Sequence, residues 1–369
     1  MIKSKFDISI LDAYQVVFPA GHTLFREGEP GREMYILLDG EIEITKSDHI
    51  LDRLTNGAIF GEMALVDSFP RSADARAVTD CKIVIIDEAL FSDLASQYPH
   101  FGVDVMRIMS KRIRRMINEE MKRQRLEEEL AIGREIQLSL LPKVNPQRAG
   151  WQFATVYRAA RQVGGDYYDF IESPSDPNLL TMTVSDVTGK GVPAAIFMAS
   201  MRSVMRTLCI DERSPADILK LTNQSVVRDT GSALFLSSVA AQLNFGTNEL
   251  TMANAGHEWP LWVKASRDDV ETLVVPGVIL GAFDEIQPVE KKFKIEPGDF
   301  LLFFTDGVTE ARNQTGEFFG DDRLLETAVL AKYKNAADIA IAIETAVDQF
   351  TQGTPQSDDM TLVVIKRES

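Results

Sequence analysis

From Glu88 to about Leu141 glycine is sparse, proline appears only at Pro99, and Leu, Ile, Met, Arg and Glu dominate. These residues cost little in a helix, so the stretch reads as helical, and Pro142 and Pro146 close it. Strand-rich texture lies on both sides, which divides the chain into three parts. At 369 residues there is room for two domains with separate cores and a connector.

From Phe18 to about Asp87, short alternating runs are punctuated by Gly21, Gly28, Gly31, Gly40, Gly57 and Gly61. That spacing predicts an antiparallel sandwich or a jelly roll, of which the jelly-roll barrel is the expected form. Within it, Met34–Leu38 and Glu41–Ile44 flank Asp39-Gly40, a dipeptide that favours a tight hairpin. After Trp151 the texture is again strand-rich as far as Ile365, with helical stretches near 193–208 and 336–350. The expected fold is thus α+β and multidomain, with a barrel and helices over 1–100, a helical linker over 101–141 and a sandwich of two antiparallel sheets flanked by helices over 142–369.

The linker places Val105, Met109, Ile113, Met116, Ile117 and Met121, then Leu126, Leu130, Ile136 and Leu140, at near-helical spacing. So charged a helix needs cover for its apolar stripe, either from a second copy in a short coiled coil, which predicts a homodimer, or from its own domain.

Charge and composition exclude several classes. With a formal net charge of -16, nonspecific nucleic-acid binding is disfavoured, because phosphate contacts need clustered Lys and Arg. The one basic cluster, Lys111-Arg112-Ile113-Arg114-Arg115, is followed by Glu119-Glu120 and Glu127-Glu128-Glu129 and reads as a solvated face. No apolar stretch is long enough to span a bilayer and the N-terminus lacks a signal-peptide core, so a cytoplasmic protein without membrane partners is expected. Cys81 and Cys209 lie far apart, which fits a reducing compartment and excludes cysteine-bound zinc.

Four aspartate strings border apolar runs: Gly164-Gly165-Asp166, Ser185-Asp186-Val187-Thr188-Gly189, Thr305-Asp306-Gly307 and Ser357-Asp358-Asp359-Met360. Each alone is ordinary turn chemistry. Together, at the ends of buried strands, such carboxylates can meet at one point, where each close pair would repel by roughly 4 kcal/mol at an effective dielectric near 20. A hard divalent cation, Mg²⁺ or Mn²⁺, offsets that repulsion.

Upstream, Phe60-Gly61-Glu62-Met63-Ala64-Leu65 leads to Arg71-Ser72-Ala73. A short helix starting near Gly61, with the donors of Arg71 and the acceptor of Glu62, makes a small anion site; a loop with a Glu–Arg ion pair is the plainer alternative. The stretch from about Ala13 to Leu94 resembles the cyclic-nucleotide-binding domain of bacterial catabolite regulators and cyclic-nucleotide-dependent kinases. The resemblance implies that Glu62 holds the ribose 2′-hydroxyl and Arg71 the cyclic phosphate. Gly61, Met63, Ala64 and Ser72 would supply the surrounding contacts. It favours cAMP over cGMP as ligand. Asp74 would oppose binding if it faced the phosphate.

The strings Val163–Asp169, Ser185–Gly191, Asn254–His257, Thr305–Ala311 and Asp358–Thr361 resemble, in order, the stage-II-sporulation-E branch of metal-dependent PP2C-type serine phosphatases. The likeness runs from about Leu138 to Ile365. It implies two Mn²⁺ or Mg²⁺ ions that activate a water against a phosphoserine or phosphothreonine. By position Asp186 would bridge both ions, the Val187 carbonyl would bind one, and Asp306 with Asp358 the other. Asp166 would be a ligand or an acceptor beside the ligands, and Asp359 a further ligand or water-holder. Asp186, Asp306 and Asp358 would carry the catalysis. Where eukaryotic relatives have a histidine this chain has Thr188, and His257 is either structural or catalytic. Arg158 and Arg161 would steer the substrate phosphate, with a surface ion pair as the alternative for Arg161.

These resemblances imply a bacterial signalling phosphatase under cyclic-nucleotide control. The string Glu135-Ile136-Gln137-Leu138-Ser139-Leu140-Leu141-Pro142 is similar to the linker of that branch, and its substrate would be a phosphorylated anti-sigma-factor antagonist. The alternative is a noncatalytic nucleotide sensor that acts through partner binding. A DNA-binding regulator fails for want of a helix-turn-helix candidate after the strands.

Overall fold

The computed structural model describes residues 14–47, 49–63, 69–230, 234–266 and 270–368. The chain forms two compact units, Met1–Arg125 and Leu126–Ser369.

In the first unit, β1 (Gln15–Phe18), β8 (Cys81–Asp87), β3 (Glu33–Asp39) and β6 (Ile59–Phe60) form one antiparallel sheet, in the order β1-β8-β3-β6. A second sheet has the order β2-β7-β4-β5, from β2 (Thr23–Phe25), β7 (Asp74–Ala77), β4 (Ile42–Lys46) and β5 (His49–Leu54). Among the described residues no strand of one sheet pairs with a strand of the other, so the expected closed jelly-roll barrel is not formed. The sheets meet through side chains: Phe25, Leu37, Ile42, Phe60, Ala75 and Ile83 share one core. Burial of two apolar faces replaces hydrogen-bonded closure.

The expected hairpin at Asp39-Gly40 is also absent. β3 pairs with β8 and β6, whereas β4 pairs with β5 and β7, so the chain changes sheets at Gly40. Gly40 has φ 104°, and a Cβ there would lie 2.6 Å from the Asp80 carbonyl. The dipeptide thus supplies a corner rather than a two-residue turn. Alternate β3 residues, Met34 and Ile36, turn to the other face and pack with Leu94, Phe101 and Val105. Those come from α1 (Glu88–Gln97), capped by Asp87 on the Leu90 amide, and from α2 (Pro99–Leu140). Helix was expected over this whole stretch; it breaks once, at Tyr98-Pro99, where proline can start a helix but not continue one.

The second unit contains two five-stranded antiparallel sheets. One has the order β10-β11-β12-β13-β16, from β10 (Tyr167–Glu172), β11 (Leu179–Val187), β12 (Leu236–Asn244), β13 (Glu249–Ala255) and β16 (Lys291–Lys294). The other has the order β15-β14-β17-β18-β9, from β15 (Val270–Thr272), β14 (Leu261–Val263), β17 (Phe300–Phe304), β18 (Met360–Arg367) and β9 (Trp151–Arg158). Strand β17 shows why its apolar run is continuous. Leu301 and Phe303 join the core shared with the first sheet, while Phe300, Leu302 and Phe304 join the core under α6 (Gly320–Ala331) and α7 (Ala336–Thr351). Both faces are buried, so alternation disappears.

On the first sheet's side, α3 (Val192–Ile210) and α4 (Pro215–Thr230) contribute Met198, Met205, Ile218 and Val226 to the shared core. The sequence led to the stretches corresponding to α3 and α7 but not to α4 or α6. The β-branched and polar residues of α4, Pro215-Ala-Asp-Ile-Leu-Lys-Leu-Thr-Asn-Gln-Ser-Val-Val-Arg, have modest helix propensity, and packing decides it. No described helix is long and apolar enough to cross a membrane.

Candidate active site and nucleotide pocket

Every aspartate of the four strings stands at a strand end. Asp166 immediately precedes β10, Asp186 is the penultimate residue of β11, Asp306 follows β17 and opens α5 (Asp306–Thr309), and Asp358-Asp359 precede β18. Because β10 and β11 are antiparallel neighbours, with Tyr167 opposite Ser185, the start of one and the end of the other share an edge. The same holds for β17 and β18, with Phe304 opposite Leu362.

Hydrogen bonds join these edges across the two sheets. Thr305 Oγ1 donates to Asp166 Oδ2 at 2.7 Å, and Thr361 Oγ1 donates to the same oxygen at 2.5 Å. The Thr361 amide donates to Thr305 Oγ1 at 2.9 Å. Asp359 accepts from the Ala160 amide at 2.7 Å and from the Gly165 amide at 2.5 Å. Glycine permits this approach: a Cβ on Gly164 would lie 2.5 Å from Asp359 Oδ2, and one on Gly165 would lie 2.9 Å from the Val187 carbonyl.

The carboxylates destabilise one another's charge. Burial, then Asp306, Asp358 and Asp359, pushes Asp186 up to about 7, against a hydrogen bond from Asp166. Burial and then Asp358, with Glu310 and Glu258 behind, raises Asp306 to about 6, opposed by Lys190. Asp166, fully enclosed, is held well above the carboxylate range by burial and by Asp186. Among the described residues no three His, Cys, Asp or Glu side chains are drawn together tightly enough to hold a metal ion. Asp358 instead pairs with the Lys190 ammonium at 2.6 Å. All the candidate donors are hard oxygens, and their mutual repulsion is the kind a divalent cation relieves, so the residues fit the ions by chemistry.

Several participants were not assigned from sequence. Lys190 lies within the Ser185–Gly191 string, and Glu258 and Glu310 sit in or beside two others, yet nothing local shows which carboxylates they face. Gln137, near the end of α2, is buried; its amide donates to the Gly164 carbonyl at 2.6 Å and accepts from the Gly164 amide at 2.9 Å. The Tyr157 hydroxyl is buried with no hydrogen-bond partner among the described residues, and burial, then Asp359 and Asp166, raises its pKa.

His257 is buried, and burial pushes it down to about 4 despite the Phe304 backbone, so the ring is neutral near pH 7. Its Nδ1 lies 2.8 Å from Ser237 Oγ, and its backbone is clamped by Asn254. This arrangement matches the structural alternative for the Ala-Gly-His string. Arg158 is engaged with Asp348 at 2.7 Å and Glu344 at 3.6 Å, whereas Arg161 is exposed.

In the first unit, a cavity of about 150 Å³ is lined by Phe25, Gly61, Glu62, Met63, Arg71 and Ser72, among others. Ala64 lies outside the described residues. Arg71 is buried, pairs with Glu33 at 2.8 Å, donates to the Gly61 carbonyl at 3.0 Å and stacks on Phe25 at 4.3 Å. Its Nε is buried with no hydrogen-bond partner among the described residues, a donor suited to an anion. Glu62, also buried, accepts from Arg112 of α2 at 2.7 Å. Asp74 accepts from the Glu27 amide at 2.6 Å and is not part of the cavity lining.

Two facing five-stranded sheets with helices, and aspartates at their shared edge, define a PP2C-type phosphatase fold. The comparisons carry this to a family. The sequence model of stage II sporulation protein E matches residues 176–368, just over half of the chain, and that of the cyclic nucleotide-binding domain matches residues 15–98. The chain therefore belongs to the SpoIIE family, with a PP2C-type SpoIIE/RsbU-like phosphatase domain fused to a cyclic-nucleotide-binding domain.

The chain is 31% identical over 287 residues to Protein IcfG of Synechocystis sp., an alignment covering 70% of this chain and 44% of IcfG. It is 26% identical over 316 residues to the phosphoserine phosphatase RsbU of Bacillus subtilis, covering 81% and 90% respectively. Less than half of IcfG's length is thus represented, against most of RsbU's. Among solved structures, the SiaA-PP2C domain of Pseudomonas aeruginosa superposes with a TM-score of 0.58 at 21% identity, over 67% of this chain and 98% of that domain, and so shares the fold.

Proposed function

We propose that the protein is a metal-dependent serine/threonine phosphatase whose rate is set by a cyclic nucleotide, cAMP in preference to cGMP. The observation that carries the proposal is that Asp166, Asp186, Asp306 and Asp358-Asp359 stand at adjoining strand ends of the two sheets, where burial and neighbouring carboxylates raise the pKa of Asp186 and of Asp306. Asp186, Asp306, Asp358 and the Val187 carbonyl would hold two Mn²⁺ or Mg²⁺ ions, with Asp166 and Asp359 as ligands or as acceptors beside them. When bound, such ions polarise phosphoryl oxygens and lower the pKa of water. The chain's own part is positional. Thr305 and Thr361 orient Asp166, the Gly165 and Ala160 amides orient Asp359, and Gln137 fixes the Gly164 peptide between them. His257, neutral and engaged by Ser237, does not supply the proton for the leaving serine oxygen.

The likeness to RsbU, a phosphoserine phosphatase, supports a phosphoserine or phosphothreonine protein as substrate, and an anti-sigma-factor antagonist is the substrate that the resemblance in the linker and phosphatase strings implies. The unpaired Arg71 Nε supports the cyclic phosphate as regulatory ligand, with Glu62 on the ribose and Gly61, Met63, Ala64 and Ser72 around it. The reading divides the chain into a nucleotide domain over 1–100, a linker over 101–141 and a phosphatase domain over 142–369. Hydrolysis of a phosphoserine peptide with Mn²⁺ tests the activity: wild type should turn over and Asp186→Ala should lose at least about a hundred-fold. Two observations favour the second reading, a noncatalytic sensor: Asp358 is paired with Lys190, and among the described residues no three of the acidic side chains stand close enough to hold a metal ion. Equal inactivity of wild type and Asp186→Ala would establish that reading.

A further inference from the structure

We propose that a basic groove beside the aspartates binds the residues flanking the phosphorylated serine and selects substrates whose flanks carry carboxylates; the inference rests on the phosphatase reading above. The groove has a volume of about 700 Å³ and is lined by Arg134, Ala160, Arg161, Val163, Lys190 and Val192, among others. That is within the roughly 300–1,000 Å³ of cavities that enclose small ligands, enough for a short peptide segment.

Its charge is out of character with the chain. Acidic residues outnumber basic ones 55 to 39, yet every charged residue of the lining is a cation and none is an acid. Arg134 and Arg161 are exposed and have neither an ion pair nor a hydrogen bond among the described residues, whereas Arg158 nearby in sequence is paired. Unpaired guanidiniums lining a concave wall raise the local concentration of anions and accept carboxylates in bidentate geometry.

The groove's position links it to the site. Lys190, which lines it, reaches Asp358 at 2.6 Å, and the amide of Ala160, also in its lining, donates to Asp359 at 2.7 Å. A peptide whose phosphoryl group lies at the aspartates therefore passes its neighbouring residues along Arg161 and Arg134. Carboxylates there meet two guanidiniums without ion pairs among the described residues, and lysines there are repelled. The occupant is an acidic phosphopeptide segment of a protein substrate.

The experiment uses the full chain and three phosphoserine peptides of equal length, with flanks of Asp and Glu, of Asn and Gln, or of Lys. With Mn²⁺, wild type should favour the acidic over the neutral peptide by about ten-fold in kcat/KM, mostly through KM. Arg134→Gln and Arg161→Gln should each shrink that preference about three-fold, and the double charge reversal Arg134→Glu with Arg161→Glu should invert the order toward the Lys-flanked peptide. A folding defect would lower all three peptides together and could not invert them. Anisotropy of the labelled peptides in EDTA reads the groove without turnover, and the acidic peptide should bind tightest and weaken with salt. Equal affinity for acidic and neutral peptides, or a preference unchanged in the variants, overturns the proposal. Failure of wild type to hydrolyse any peptide or p-nitrophenyl phosphate, with the binding preference intact, removes the phosphatase reading and leaves the groove.

Discussion

Asp186 occupies the position with the most at stake. Its folded pKa is about 7 and that of Asp306 about 6, both above the unfolded value of 3.8. A carboxyl raised in this way contributes stability that is complete below the unfolded pKa and is lost as pH rises through the folded one. In a chelator, the melting temperature of the phosphatase unit should therefore fall by several degrees between pH 5 and pH 7.5, at about 2–4 °C per kcal/mol for a domain of this size. Mn²⁺ should restore it at pH 7.5, because the cation binds the ionised form. Asp186→Asn should show a shallower fall; an identical slope by calorimetry would remove Asp186 as its source. At the other site, Arg71→Ala deletes the buried donor of the anion pocket. It should abolish cyclic-nucleotide binding, by titration calorimetry, and any response of turnover, since Arg71 also carries the Glu33 pair and stacks on Phe25.

At the scale of elements, the site depends on how closely backbones pass. Helix α5 and the turn before β18 touch at Gly307, where a Cβ would lie 1.9 Å from the Asp359 carbonyl. Gly307→Ala should cost about 1–3 kcal/mol in denaturant unfolding and also weaken Mn²⁺ binding, because relief of the overlap moves Asp306 from Asp359. The strands carrying the aspartates were legible in the sequence because both their faces are buried: Phe300–Phe304 and Leu362–Ile365 have no polar interruption. The corner at Asp39-Gly40 was not, since a glycine with positive φ serves a hairpin and a sheet-to-sheet step alike. Nor were α4 and α6, whose helical state rests on packing against a sheet. Lys190, Gln137 and Tyr157 escaped notice because their partners lie 27 or more residues away along the chain or, for the tyrosine, because its relevance is an unpaired hydroxyl.

Across the whole molecule, α2 carries Ile113, Met116, Ile117 and Met121 exposed on a charged helix. Four such side chains at helical spacing gain most from a second copy, so the chain should sediment as a dimer and Met116→Glu with Ile117→Glu should shift it to monomer at micromolar concentration. A wild-type monomer by analytical ultracentrifugation would refute the coiled coil. The sequence by itself determined the order of parts, the helical connector and the strand-borne aspartates, because each is written in local periodicity or in a short motif. Only the tertiary structure decided that the N-terminal strands pack as two open sheets, that Arg112 engages Glu62, that Lys190 engages Asp358, and that Arg134 and Arg161 line one groove. Those facts depend on which distant side chains burial brings within a few ångströms, and no local pattern encodes that distance.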